Sequence, residues 1–172
     1  MLKVAKKEVD FKTNFEFVKT INSNLTEQIK LADTKAAWTF SVLGLLTAIL
    51  TNILSKFKFM EIIQTKVLIY GIIAIFSLIL AFKHIILVMY PRTSIGNKAG
   101  IFYFKDIIAS TREEYAQTLK SIDEERIINP MRIQAYELAK IADKKFASLK
   151  IAIISCMFAL GWIVITAIML AK

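Results

Sequence analysis

Three stretches of the chain are apolar and free of charge: Ala36–Ser55 over 20 residues, Val67–Phe82 over 16, and Ile151–Ala171 over 21. A helix needs roughly 20 apolar residues to cross a bilayer core of about 30 Å. The first and third runs reach that length outright. The second reaches it by continuing through Lys83-His84 into "IILVMY", provided the lysine stem extends to the headgroups. Ahead of the first run the pattern becomes amphipathic. Phe17/Val18, Ile21, Leu25, Ile29, Ala32 and Ala36 recur at steps of three and four, and no Pro or Gly interrupts from Lys12 to Leu43. This spacing predicts one helix from about Asn14 through the first crossing.

Beyond the second run, "YPRTSIGNKAG" holds Pro91, Gly96 and Gly100 and reads as a loop. A short aromatic piece, "IFYFKDIIAS", follows. "TREEYAQTLKSIDEERII" then places Tyr115, Leu119 and Ile122 on one helical face. Asn129-Pro130 either ends that helix or opens the next, with Asn129 as cap and Pro130 in the first helical position. From there the chain runs without a breaker into the third crossing. The expectation is an all-α membrane protein of a single domain, 1–172. It has a helical arm (1–35), three transmembrane helices (36–55, 67–89 and 150–171) and a helical region (91–148) that extends out of the membrane.

Composition agrees with this pattern. Hydrophobic residues make up 56% of the 172 positions, too many for an ordinary soluble domain of this size. The first run begins only at Ala36 and lacks the short basic start and small-residue exit of a cleaved signal, so it is expected to be retained. The net charge is +9, and its distribution sets an orientation. Residues 1–35 hold seven Lys/Arg, the region 91–150 holds eleven, and the connector 56–66 holds three. Basic residues stay cytoplasmic. The arm and the large loop are therefore expected in the cytosol, with the connector and the C-terminus outside. The basic residues then face the anionic inner leaflet.

Two phrases repeat 110 residues apart. "KLADTKAAW" (Lys30–Trp38) enters the first crossing and "KIADKKFAS" (Lys140–Ser148) enters the third, with Ala32/Ala142, Asp33/Asp143, Lys35/Lys145 and Ala37/Ala147 in register. At the inner headgroup level Lys reaches phosphates, Trp38 suits the interface, and Ala lets backbones approach. An acid there needs a basic partner. Asp33 could pair with Lys30 and Asp143 with Lys140, each for roughly 0.2–0.5 kcal/mol. A partner from another helix, Arg92 or the opposite repeat's lysine, would hold the junction more firmly. Convergence of two similar helix entrances is the plainer explanation of the repeat.

Candidate chemistry is sparse. There is no Gly-rich phosphate loop, no nucleophile–histidine set, and only one histidine. No catalytic residue, metal site or cofactor is expected. Glu113, Glu114, Asp123, Glu124 and Glu125 alternate with Arg112, Lys120 and Arg126, the mark of a solvated helix face. Cys156 is the lone cysteine and reads as a small packing residue. Lys83-His84 reads as a snorkelling anchor or, alternatively, as a proton or ion relay. Gly44/Ala48, and Ala152, Ser155/Cys156 and Ala159, are small-residue pairs suited to close helix contact, within the chain or between chains. Arg92, Lys98 and Lys105 stand among Phe102, Tyr103 and Phe104. They could hold a phosphate and stack a base, or lie on the membrane surface. No nucleic-acid partner is expected.

With these residues in view, the chain resembles the transmembrane effector family of bacterial pyrimidine-cyclase antiphage (Pycsar) systems. The resemblance rests on "LADTKAAW", "YPR", "IFYFKDI" and "IQAYELAKIADKKFASLKIA", which together span roughly residues 20–155. The positions matching the family's motifs are Ala32, Asp33, Lys35, Ala36, Pro91 and Arg92. The resemblance implies an inner-membrane effector of abortive infection; three helices leave little interior for a pore, so a pore would require several chains, and a homo-oligomer is expected. Its signal would be cyclic CMP or cyclic UMP made by a partner pyrimidine nucleotide cyclase, and its action would impair the membrane. No run of short alternating strands could build a cyclic-nucleotide-binding β-roll. The nucleotide would therefore meet Arg92, Lys98, Lys105 or the repeat lysines in a helical region, or be sensed by a partner. The alternative is a membrane anchor whose cytosolic helices bind another protein.

Overall fold

The computed structural model describes residues 2–55, 63–90 and 104–170. They form five helices: α1 (Leu2–Ser55), α2 (Ile63–Met89), α3 (Phe104–Ala109), α4 (Arg112–Lys120) and α5 (Glu124–Leu170). There is no strand among the described residues. The architecture is all-α, and α1, α2 and α5 are each long and apolar enough to span a membrane.

Two helix boundaries differ from the expectations. α1 begins at Leu2 rather than near Asn14. Phe11 carries the apolar face ahead of Asn14, four residues before Phe15, and the residues before it hold no Pro or Gly, so nothing in them stops the helix. The break before α5 falls at Ser121–Asp123 rather than at Asn129-Pro130. Asp123 Oδ1 accepts from the Arg126 N–H at 2.9 Å, which caps the helix six residues ahead of Asn129. Pro130 then lies inside α5. Its missing N–H leaves the carbonyl four residues back, on exposed Arg126, without a helical partner. α4 is closed by a capping box. The Glu114 N–H donates to Thr111 Oγ1 at 3.3 Å, and the Thr111 N–H donates to Glu114 Oε2 at 2.9 Å. Hydrogen bonding to its carboxylate, from the Thr111 N–H foremost and then from the Thr111 side chain, lowers the pKa of Glu114 from its ordinary value.

The chain divides into two compact units, 1–29 with 92–142 and 30–91 with 143–172. In the first, Val18, Ile128 and Met131 form a small core flanked by Phe11, Phe15 and Ile127. Asn22 Nδ2 donates to the Met131 carbonyl at 3.1 Å, tying α1 to α5.

The second unit is a three-helix bundle with a seven-residue periodicity. On α2 the buried positions are Val67, Gly71, Ala74, Leu78, Ala81, Ile85 and Val88, alternating steps of four and three. On α5, Leu149, Cys156 and Ile163 stand seven apart, and so do Lys145, Ala152, Ala159 and Thr166. On α1 the buried set is Ala32, Ala36, Leu43, Leu46 and Leu50. A repeat of seven keeps a seam facing its partner only if the helices wrap left-handedly. Small seam residues let the backbones come close, which is how helices pack where lipid removes the hydrophobic drive. Leu54 is a case in point: its Cδ2 would lie 3.2 Å from a Cβ placed on Gly71. Tyr70 and Trp162 stack at 5.5 Å between α2 and α5.

The outer faces carry large exposed apolar side chains, among them Leu45, Ile72, Phe76 and Phe158. A patch of that kind is a liability in water and ordinary in lipid. Hydroxyls on these helices are satisfied locally. Thr47 Oγ1, for example, donates to the Leu43 carbonyl and Thr166 Oγ1 to the Trp162 carbonyl. Of the two small-residue sets, Ala152, Ser155, Cys156 and Ala159 lie inside the seam, whereas Gly44 and Ala48 face outward.

Candidate functional site

Ala32 and Ala142 are both buried, so the two repeats carry their small residues inward alike. Their charges part company. Lys145 stands on the seam line of Ala152 and Ala159, and its side chain is only 8% exposed. Its Nζ donates to Asp33 Oδ1, with the Asp33 side chain 45% exposed. The opposite repeat's lysine is thus the partner of Asp33, across α1 and α5. A buried ammonium loses its hydration, and a carboxylate in hydrogen-bond contact is what makes that position tolerable. Half of Asp33 stays solvated, so the pair is only partly desolvated.

The other half of the repeat stays apart. Lys35 and Asp143 are exposed, and neither makes an ion pair among the described residues. Nor do the local pairs form. Lys140 goes to Glu137 Oε1 at 3.3 Å rather than to Asp143, and its Nζ lies 4.6 Å above the Tyr136 ring. Glu137 and Tyr136 were not among the candidate residues, although a Glu three residues ahead of a Lys is itself a pairing signal. Arg92 and Lys98 lie outside the described residues. Lys105 is in α3, its side chain likewise outside the description. Lys83 is exposed and His84 half-buried, with His84 Nδ1 buried and unpaired. Among the described residues no group of three or more His, Cys, Asp or Glu could hold a metal.

Three apolar helices, two of them joined by a charge pair where their apolar stretches begin, define a multi-pass helical membrane protein. Residues 17–172 match the family described as the Pycsar effector protein domain. The chain belongs to that family, and its role is that of an antiphage effector. It is similar to the Pycsar effector protein SaPycTM of Staphylococcus aureus, at 32% identity over 143 residues, covering 83% of this chain and 87% of that protein. The family is named for effectors and not for an enzymatic activity. No solved structure matches the chain.

Proposed function

We propose that the chain resides in the bacterial inner membrane and impairs its integrity when cyclic CMP or cyclic UMP appears. The arm (1–35) and the region 91–148 face the cytosol in this reading, as the lysine and arginine bias favours. The observation that carries it is the family match over nearly the whole chain, on three helices able to span. A pyrimidine nucleotide cyclase supplies the signal. Arg92, Lys98 and Lys105 are the cations that would meet the cyclic phosphate, either directly or through a protein that senses it for them. Three helices enclose little interior, so a pathway for ions or solutes requires several copies of the chain, and the active form is a homo-oligomer. No residue is assigned a catalytic role and no cofactor is assigned.

A ligand reverses a two-state equilibrium only by binding one state better, by about 5.5 kcal/mol for a near-complete switch. The test is dye release from liposomes of anionic lipid holding the purified chain. Cyclic CMP or cyclic UMP releases dye, and cyclic AMP does not. Dye retention with both pyrimidine nucleotides, in the presence of the cognate cyclase and its lysate, sinks the proposal. If release needs the lysate, a partner is the sensor; if the triple substitution Arg92→Ala, Lys98→Ala, Lys105→Ala abolishes a direct response, those cations are the site.

A further inference from the structure

The broken symmetry of the repeat points to how copies of this chain meet. Two residues along a helix lie about 200° apart around its axis, so the Asp and Lys of each phrase point to different sides. On α1 Asp33 takes the side toward Lys145 and Lys35 the other. On α5 Lys145 is on the seam and Asp143 is outside it. The same Asp–Lys combination that joins α1 to α5 within the chain is thus left over within about a turn of that rung, with its two members on separate open faces.

Each leftover charge heads a stripe that nothing among the described residues covers. Lys35 leads to Trp38, Val42, Leu45 and Ile49 at steps of three and four, all exposed. Asp143 leads to Ala147, Ile154, Met157 and Gly161 on the open face of α5, with Lys150 between them placed to reach headgroups. A Cβ at Gly161 would meet nothing within 4 Å, so that face has room for a close neighbour.

We infer that these two stripes are the interface between successive copies, α5 of one packing on α1 of the next, with Asp143 paired to Lys35 of the adjacent copy. Lipid would cover either apolar stripe equally well, but lipid does not account for opposite charges within about a turn of one another on the two open faces. Lys140 is already engaged by Glu137 and does not compete for Asp143. A contact using two different faces is heterologous: it closes into a ring or propagates, and it does not stop at a dimer. This inference rests on the oligomeric reading above and adds its geometry.

Cysteine crosslinking in native membranes tests it, in a Cys156→Ala background, with a short flexible bismaleimide, with and without cyclic CMP and cyclic UMP. Chains carrying Lys35→Cys and Asp143→Cys together give a ladder beyond dimer in at least one condition. Either single variant alone gives none, and a mixture of the two singles stops at dimer. Strong dimer from either single variant means a symmetric interface and overturns the inference, as does the lack of any ladder in every condition. Independently, Asp143→Lys lowers the multimer fraction about fivefold and adding Lys35→Asp restores it; no change on reversal also overturns it. Crosslinking is read without leakage, so a ladder in a membrane that does not leak leaves the interface standing and removes the function proposed above.

Discussion

At the scale of single residues, the Asp33–Lys145 pair is sensitive to substitution. Asp33→Asn leaves a seam ammonium without its counter-charge. Removing one partner of a fully buried pair costs about 3–5 kcal/mol, and the half-exposed Asp33 reduces this to about 1–2 kcal/mol. Lys145→Met together with Asp33→Asn restores much of the loss, because methionine fills the seam without a charge. Denaturant titration of the detergent-solubilised chain, followed by circular dichroism, measures both. The repeat itself was legible in the sequence, and so was the need of an acid at that depth for a basic partner. The choice between Asp33–Lys145 and Asp143–Lys35 was not. Matched phrases look interchangeable, and only the rotation of each helix about its seam decides which member turns inward. At α4, the Glu114 carboxylate is stabilised by the Thr111 N–H foremost, and by the Thr111 side chain. Its lowered folded-state pKa means that the stabilisation is present above the ordinary Glu value and is lost as pH falls through the folded one. The protection of α4 amides, measured relative to their intrinsic exchange at each pH, is expected to fall on acidification in that window, and Glu114→Gln is expected to abolish this pH dependence, whereas Thr111→Ala, which keeps the N–H, only reduces it.

At the scale of elements, the long helices were read from charge-free length and from three-and-four spacing, both direct consequences of helical geometry. The sequence pattern puts the breaker before α5 at Asn129-Pro130 and the structure puts it at Ser121–Asp123, because proline reads as punctuation and Asp123 as part of a charged face. A cap decides where a helix begins when the residues after it can propagate, and a proline within the first two turns is tolerated at the loss of one backbone hydrogen bond. Pro130→Ala is therefore expected to extend amide protection across Arg126–Met131, and a loss of protection there would contradict this account. Gly71 tests the packing of α1 on α2. Gly71→Ala requires Leu54 to give by a few tenths of an ångström and is expected to be nearly neutral. Gly71→Leu overfills the seam and destabilises by about 1–3 kcal/mol. The cations Arg92 and Lys98 belong to a stretch whose glycines and proline mark it as a loop, where local pattern carries no register from which to derive a geometry.

At the scale of the whole molecule, charge asymmetry is the quantity to test. Cysteines replacing Lys19 and Lys120 are expected to react with a membrane-impermeant maleimide only in inverted vesicles. Labelling of the two from opposite faces would refute three crossings, and labelling of both from outside would refute the orientation. The seam also restricts how the bundle can respond to a signal. Translating α5 along α1 by one heptad would carry Lys145 from Asp33 to Phe40 or Thr26, leaving an ammonium against an aromatic ring or a hydroxyl. Axial slippage is thereby disfavoured at a single locked rung. A movement that turns or splays these helices can keep the Asp33–Lys145 rung, whereas one that ratchets α5 along α1 breaks it.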